Sequence, residues 1–412
     1  MHKLGQIRVL LVGDSHFDES SRFDECVRVH DFIADEARRL DADLLIHSGD
    51  VFERKSTPTE RRAVAVWLAK VADQCPVVMV RGNHDVVSDL SIFSRLRTRH
   101  PVIVEETAGV HVVRTKSGEV AIGCLAWPRK AELLAVSGAV GQEAEGLAQD
   151  ALRNLLRGIG AELAEHSGPR IVLAHAMVSG SVTSTGQPLI GHDMELSLSD
   201  LALAKADLYA LGHIHKGQQW EIAGAPVIYP GSPRRTAFGE IEPKGYQMLE
   251  LDTAAGQGCT DDGDGSSWGV VENDLNETPC AAMFLAEDEW GPNAEGVQEF
   301  LVGWHGLDAD PATLDGAEIR LRYKVASDQR DAARFAAARA REDLLSRGAV
   351  NVKVEEVVSV HARARAPEIA AAATLDVKLR AFWKSTGRAP GEAIEAQAIE
   401  LLHQIESEER AA

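Results

Sequence analysis

Five short motifs in the first half of the chain hold the side chains that could do chemistry. Their carboxylate, imidazole and carboxamide groups suit Mn, Zn or Fe, whereas a set made only of carboxylates would suit Mg or Ca. None of the motifs contains a cysteine, so a structural zinc site is not expected. Together they predict a hydrolytic site for two divalent metal ions. The motifs are Asp14-Ser15-His16, Gly49-Asp50, Gly82-Asn83-His84-Asp85, Ala174-His175 and Gly212-His213-Ile214-His215.

An apolar run precedes each motif and is typical of a buried β-strand. Residues 7–12 lead into Asp14, for example, and residues 171–173 lead towards His175. Open α/β sheets place their ligand sites at the carboxyl ends of the strands. We therefore expect five strands to bring polar side chains to one edge, with intervening helices such as those over residues 24–40 and 59–73.

Histidines and acidic residues at strand ends also have ordinary structural uses. A single one is more often a cap or a satisfied polar group than a ligand, but five such ends in one chain favour a metal site. His47 precedes the turn at Gly49-Asp50, where it could support a ligand or simply pack. The histidines that we expect to be surface or packing residues are His30, His100, His111, His166, His305, His361 and His403.

The set of motifs resembles that of the calcineurin-like metallophosphoesterases, which is D-x-H, G-D, G-N-H-[DE], H and G-H-x-H. The resemblance covers most of residues 1–245 and implies a four-layer α/β sandwich, in which two mixed sheets are flanked by helices. It also implies that Asp50 bridges the two metal ions. The implied protein ligands that complete the two sets are Asp14, His16 and His215 for one ion, and Asn83, His175 and His213 for the other.

The same resemblance implies that His84 is not a ligand but faces the scissile phosphate. Two bound cations would activate water and neutralise charge on the phosphate oxygens. The leaving sugar oxygen is a poor leaving group, so a proton donor helps, and such general acid catalysis contributes roughly 10²–10⁴-fold. We expect His84 to be that donor and Asp85 to orient its ring.

The residues that follow the double-histidine motif narrow the resemblance. Residues 228–240, IYPGSPRRTAFGE, are similar to a string in the SbcD nuclease subunits. Glu53 is a departure, because some relatives have a histidine at this position, and its role stays open. The resemblance implies a Mn-dependent DNA nuclease that acts at DNA ends as a 3′–5′ exonuclease and as an endonuclease. It also implies an SbcC-type ATPase partner, and we expect a homodimer.

Three segments are expected along the chain: a nuclease domain over 1–245, a small α+β capping domain over 246–360, and a linker with two helices over 361–412. A strand–helix–strand order over residues 318–358 indicates the α+β unit. In the tail, apolar residues at helical spacing predict two amphipathic helices. These helices could pack on this chain's own core or, as the resemblance favours, bind the ATPase subunit.

Composition restricts the function less than the motifs do. A net charge of −20 over 412 residues is unexpected for a nuclease, because duplex-binding surfaces are usually basic. We expect no membrane span and no signal peptide. The five widely spaced cysteines indicate free thiols in the cytoplasm. Four basic pairs could contact DNA or be solvated surface: Arg54-Lys55, Arg61-Arg62, Arg129-Lys130 and Arg234-Arg235.

Two other functions fit parts of the sequence. A stand-alone phosphodiesterase acting on small nucleotides or other phosphodiesters would use the same metal site, but it would need neither a capping unit nor tail helices. A non-catalytic adapter is disfavoured by the complete ligand set. The chain lacks a G-x-x-x-x-G-K-[ST] string, so the ATPase would be a separate subunit.

Overall fold

A computed structural model describes most of the chain as two compact units. The first consists of Met1–Ala286, Trp304–Leu321 and Arg341–Val354, and the second of Glu287–Gly303, Arg322–Ala340 and Glu355–Ala412. The described residues are 6–129, 133, 142–184, 195–252, 268–292, 298–300, 314–359, 369, 372, 374–387 and 390–409.

The regular elements are numbered in chain order. The strands are β1 Gln6–Val12, β2 Leu44–His47, β3 Val77–Val80, β4 Val102–Glu105, β5 Ala108–Arg114, β6 Glu119–Leu125, β7 Arg170–His175, β8 Met177–Val178, β9 Glu195–Leu196, β10 Leu208–Gly212, β11 Gln218–Ile222, β12 Ala225–Tyr229, β13 Gly245–Asp252, β14 Gly269–Glu277, β15 Met283–Pro292, β16 Gln298–Phe300, β17 Glu318–Ala326 and β18 Asn351–Ser359. The helices are α1 Phe23–Arg39, α2 Pro58–Ala72, α3 Gln142–Leu163, α4 Leu198–Leu201, α5 Arg330–Ser346, α6 Leu375–Thr386 and α7 Glu392–Glu409, and short 3₁₀ helices cover Ser91–Arg95 and Ala202–Ala204.

Two six-stranded sheets form the centre of the first unit. Their strand orders are β14-β13-β1-β2-β3-β4 and β11-β12-β10-β7-β6-β5. In the first sheet β1 to β4 are parallel, and β13 pairs antiparallel with both β1 and β14. In the second, β12, β10, β7 and β6 are parallel, and the edge strands β11 and β5 are antiparallel. Both sheets are therefore mixed, as predicted.

Alternating side chains of β1 show how the layers pack. Val9 and Leu11 belong to a core between the sheets, together with Ile122 of the second sheet. Leu10 faces the other way, into a core that contains Trp67 of α2. A third core joins α3 to the outer face of the second sheet. Fully burying such a side chain contributes about 1.5–3 kcal/mol, so these three cores fix a helix–sheet–sheet–helix sandwich. The predicted fold class is confirmed.

The start of α2 ties two loops of the site together. Thr57 caps the helix: its hydroxyl accepts from the Glu60 amide at 3.2 Å, and the Glu60 carboxylate accepts from the Thr57 amide at 2.7 Å. Pro58 occupies the first helical turn, where a missing amide hydrogen costs nothing. The Glu60 carboxylate also accepts from the backbone of Glu19 at 2.7 Å, which joins the loop after β1 to the loop after β2.

The C-terminal half contains a four-stranded sheet of order β16-β15-β17-β18 and the helix α5. These elements match the predicted strand–helix–strand order. The tail helices α6 and α7 occupy the two predicted amphipathic stretches. The boundaries of the predicted segments at 245 and 360 stay predictions, and residues 361–367, at the start of the predicted linker segment, lie outside the described residues. Among the described helices, none is both long and apolar enough to cross a membrane.

Candidate metal centre

The predicted ligands meet where five strands of the two sheets end. The strands β1, β2 and β3 of the first sheet lead into three of the motifs, and β7 and β10 of the second sheet lead into the other two. Three groups of side chains have potential ligand atoms within 4.8 Å of one another: Asp14, His16 and His215; Asp14, Asp50 and His175; and His16, Glu53 and His84. The first group contains the residues predicted to complete the ligands of one ion.

Asp50 lies between the two predicted ligand sets. Its Oδ2 is 3.8 Å from Nε2 of His16 and 3.4 Å from Nε2 of His175. The Nε2 atoms of His16 and His215 are 2.9 Å apart, close enough for one ion to contact both. This is the position that a bridging carboxylate needs, although the assignment of the bridge stays a prediction.

Asn83 joins the two histidines of the other set. Its Oδ1 lies 2.9 Å from Nε2 of His175 and 3.0 Å from Nδ1 of His213. The ring of Trp127 stacks near His213, with 4.8 Å between centroids and a tilt of 33°. The motifs did not indicate Trp127, because its contact depends on the crossing of two loops that are distant in sequence.

Backbone geometry at the site lets the candidate ligands approach closely. A Cβ atom on Gly82 would lie 2.1 Å from Oδ1 of Asp50, so only glycine fits there. Asp14, His16 and Asp50 have φ values of 51°, 46° and 53°, in the left-handed region that costs non-glycine residues about 1–3 kcal/mol. Such strain is typical of functional sites. The converging oxygen and imidazole donors fit two divalent cations of the Mn, Zn or Fe type.

Hydrogen bonds fix the ring orientation of two predicted ligands. His175 donates from Nδ1 to the Ser48 carbonyl oxygen at 2.7 Å, which directs its Nε2 towards Asp50. His215 donates from Nδ1 to the hydroxyl of Thr236 at 2.9 Å, and this hydroxyl donates to Glu240 at 3.0 Å. Partners of this kind select the tautomer that binds a metal.

The ionisation of the buried groups follows from their neighbours. Burial alone would raise the pKa of Asp50, but the charge of His175 holds it well below the usual range. Burial lowers the pKa of His175, and the charge of Asp50 more than offsets this and raises it to about 9. Burial lowers the pKa of His213 to about 3 and keeps this ring neutral. Because metal ligands must be deprotonated, bound cations would displace the proton of His175.

The predicted role of Asp85 in orienting His84 is wrong. The buried Asp85 carboxylate accepts from the amides of Phe52 and Gly82, both at 2.9 Å, and so holds two loops together. His84 instead donates from Nδ1 to the carbonyl oxygen of Glu53 at 2.8 Å. Because the oxygens of Asp85 already accept from backbone amides, they are not directed at the ring of His84.

Glu53, whose role the sequence left open, contacts two histidines of the site. One carboxylate oxygen lies 2.8 Å from Nδ1 of His16, and the other lies 3.8 Å from Nδ1 of His84. The contact with His16 lowers the pKa of Glu53 and keeps it charged. Glu53 therefore positions His16 through its side chain and His84 through its backbone.

A buried chain of hydrogen bonds connects the turns after β1 and β2 to α1. The amide of Gly49 donates to Nδ1 of His47 at 3.2 Å, and His47 donates from Nε2 to the hydroxyl of Ser15 at 2.8 Å. That hydroxyl donates to Nε2 of His30 at 2.8 Å, and His30 donates from Nδ1 to the carbonyl oxygen of Cys26 at 2.7 Å. Each donor thus has one acceptor, and the turns after β1 and β2 are fastened to α1.

The basic pair Arg234-Arg235 makes contacts within the chain. Arg234 is buried and donates to the carbonyl oxygen of His16 at 2.8 Å. Arg235 donates from Nε to the carbonyl oxygen of Glu240 at 2.8 Å and from Nη1 to Sγ of Cys280 at 3.2 Å. Both side chains hold the loops around the metal site.

Two of the other basic pairs also make contacts within the chain. Arg54 donates to Asp18 at 2.7 Å, and Arg61 donates to the carbonyl oxygen of Ser56 at 2.8 Å. Lys130 lies outside the described residues. The basic pairs therefore give weaker support to a DNA-binding surface than their sequence suggested.

Comparison with known proteins agrees with this arrangement. The chain is 27% identical over 254 residues to the SbcD component of the nuclease SbcCD from Bacillus subtilis, covering 57% of this chain and 63% of that protein. It is 27% identical over 239 residues to the DNA double-strand break repair protein Mre11 of Archaeoglobus fulgidus, and the match covers 57% of this chain and 50% of that protein. The matches thus span less than two thirds of either relative.

A solved dimetal phosphatase from Danio rerio covers 59% of this chain and 95% of its own, with 11% identity and a TM-score of 0.39. The sequence model of the calcineurin-like phosphoesterases matches residues 7–217, about half of the chain, and this segment contains all of the predicted ligands. The chain therefore belongs to the calcineurin-like phosphoesterase family.

Proposed function

We propose that this protein is a two-metal DNA nuclease that hydrolyses phosphodiester bonds at DNA ends, as a 3′–5′ exonuclease and as an endonuclease, with Mn²⁺ as its metal. The observation that carries the proposal is the position of Asp50 between the two ligand sets. Similarity to two proteins named for nuclease or break-repair activity supports the choice of DNA as substrate. The finer assignments of polarity and metal follow the family resemblance.

The residues divide into metal-binding and proton-donating groups. Asp14, His16 and His215 would hold one ion, Asn83, His175 and His213 the other, and Asp50 would hold both. When bound, the two ions would supply activated water and positive charge at the phosphate.

His84 would donate the proton that the leaving oxygen needs. Its Nδ1–H is engaged by the Glu53 carbonyl oxygen, so Nε2 is the atom that would exchange a proton with the substrate. The side chain is 38% exposed and is therefore accessible to a substrate.

The tail helices support the proposal that an SbcC-type ATPase is a partner. Among the large apolar side chains of α6 and α7, several are about half exposed: Leu375, Val377, Phe382, Ile394 and Leu401. An ion pair of 3.0 Å between Arg380 and Glu395 joins the two helices. We propose that exposed apolar side chains of the two helices contact the partner, which would also supply the basic charge that this acidic chain lacks.

We also propose a homodimer in the cytoplasm. A groove of about 520 Å³ between α1 and α2 is lined by Phe23, Val27, Val66 and Trp67. It could receive side chains of a second copy of the chain. The free thiols of Cys26, Cys75, Cys124 and Cys280 support a reducing compartment. Cys259 lies outside the described residues.

Digestion of linear duplex DNA in Mn²⁺, with and without an SbcC-type ATPase and ATP, tests the function. We expect nucleotide release that depends on Mn²⁺ and increases with the ATPase. Hydrolysis of small phosphodiesters together with no cleavage of any DNA would favour the stand-alone phosphodiesterase instead. A chain that binds metals but cuts neither class of substrate would be an adapter.

A further inference from the structure

A cavity of about 270 Å³ opens beside the metal ligands His213 and His215. Its lining also includes Thr183, Ser184 and Phe238. Drug-sized ligand pockets usually span roughly 300–1,000 Å³, so this cavity has room for one planar ring system and not for the end of a duplex. A base that enters it would belong to a nucleotide whose phosphate is held at the proposed metal site.

The ring of Phe238 is held in place at the wall of this cavity. The guanidinium carbon of Arg320 lies 4.5 Å from the ring centroid, in a cation–π contact. The turn that carries the ring is closed by Glu240, whose carboxylate accepts from the amide of Thr236 at 3.0 Å and forms an ion pair of 2.9 Å with Lys244. A ring fixed in advance loses little freedom when a ligand stacks on it.

We propose that Phe238 is a stacking platform for the nucleobase next to the scissile phosphate. The inference rests on the proposed nuclease function and specifies its substrate: a strand that is unpaired where it is cut, since a paired base cannot enter the cavity. Every base has a π face, so stacking on an aromatic ring tolerates any sequence. The hydroxyl hydrogen of Ser184 is already donated to Glu242 at 2.7 Å, so this neighbour is not placed to read the base edges as a donor.

Binding of a dinucleotide that contains 2-aminopurine tests the stacking without hydrolysis. The fluorescence of this base falls when it stacks on an aromatic ring. We expect His84→Ala protein in Ca²⁺ to quench the fluorescence. The double variant His84→Ala/Phe238→Trp should also quench it. The double variant His84→Ala/Phe238→Leu, which keeps an apolar side chain without a ring, should not. Equal quenching by the Phe238→Leu protein would overturn the proposal.

Kinetics give an independent readout. With Mn²⁺, Phe238→Ala should lower kcat/KM for a thymidine dinucleotide by roughly 5- to 150-fold. It should leave unchanged the cleavage of the dinucleotide analogue that lacks the stacking base. Two analogues, each lacking one of the two bases, show whether the base that stacks on Phe238 lies on the 5′ or the 3′ side of the scissile phosphate. Equal losses on all three substrates would contradict a stacking role.

The two readouts separate this inference from the proposed function. If quenching is present but the wild-type protein hydrolyses no dinucleotide and no DNA, the nuclease proposal fails and the stacking site stands. If the wild-type protein cuts DNA but Phe238 variants match it in both readouts, the stacking site fails and the nuclease proposal stands.

Discussion

The imidazole of His84 is held by the backbone of Glu53 and not by the carboxylate beside it in sequence. Nδ1 of His84 donates to the carbonyl oxygen of Glu53 at 2.8 Å, while Asp85 is occupied by backbone amides. The proposed proton donor, His84, is therefore positioned by the loop after β2. Movement of that loop would change the chemistry without any change in the ligands.

His84→Gln should lower kcat by roughly 10²–10⁴-fold on DNA and leave the number of bound ions unchanged, because we propose that the ring donates a proton and binds no metal. The loss should be much smaller on a nitrophenyl ester of a nucleotide, since nitrophenolate leaves without a proton. Metal analysis and kinetics on both substrates check this. An ion lost together with activity would make His84 a ligand.

Glu53→Gln should weaken the binding of one Mn²⁺ by roughly 10–100-fold, the usual effect of removing a partner that orients a metal-binding histidine. Glu53 lies 2.8 Å from Nδ1 of His16, and an amide holds that nitrogen less strongly than a carboxylate. The backbone contact with His84 persists in this variant. Titration calorimetry with Mn²⁺ measures the change, and unaltered affinity for both ions would show that Glu53 does not support His16.

The buried chain of His30, Ser15 and His47 should make the stability depend on pH. Burial lowers the pKa of His30 from 6.5 to about 4, so between these values the unfolded chain binds a proton that the folded protein does not. The contribution of His30 to the free energy of unfolding is fully present above pH 6.5 and is lost as the pH falls towards 4. His30→Gln removes this titration.

Denaturant unfolding in EDTA between pH 7.5 and 5 checks the prediction. The stability advantage of the wild-type protein over His30→Gln should shrink by about 1.4 kcal/mol for each pH unit below 6.5. An advantage that stays constant over this range would mean that His30 is not held neutral in the fold.

Removal of the chain after Ala366 should leave a folded nuclease that no longer binds the ATPase, because the ligands lie in the first unit and the tail helices expose apolar side chains. Phe382→Asp should have the same effect on binding, and Lys384→Asp on the same helix is the control for charge. Co-purification of a tagged ATPase measures both. Equal recovery with every variant, or an insoluble truncation, would assign the helices to this chain's own core.

The sequence predicted the sheets and the meeting point of the candidate ligands because both depend on local signals. An apolar run followed by Gly-Asp indicates a strand end, and β1 with Asp14 and β2 with Asp50 are where that pattern placed them. Mixed pairing and the four layers followed from the family resemblance and agree with the structure.

The supporting contacts could not be predicted, because they join residues that are far apart in sequence. His30 and Ser15 are 15 residues apart, and His84 and Glu53 are 31 apart. One signal was available: His30 lies on the stripe of α1 that also carries Cys26 and Ile33, so it had to be buried. The buried position of Arg234 and the contacts of Arg235 within the chain had no such signal.

The number of Mn²⁺ ions bound by Asp50→Asn protein tests the central claim most directly. An amide supplies no charge and bridges poorly, so this variant should bind fewer ions than His16→Ala, which removes a ligand from one ion only. Equilibrium dialysis followed by metal analysis should give two ions for the wild-type chain, about one for His16→Ala and none for Asp50→Asn. Two ions in Asp50→Asn together with none in His16→Ala would contradict the account, because Asp50 would then not be the shared ligand.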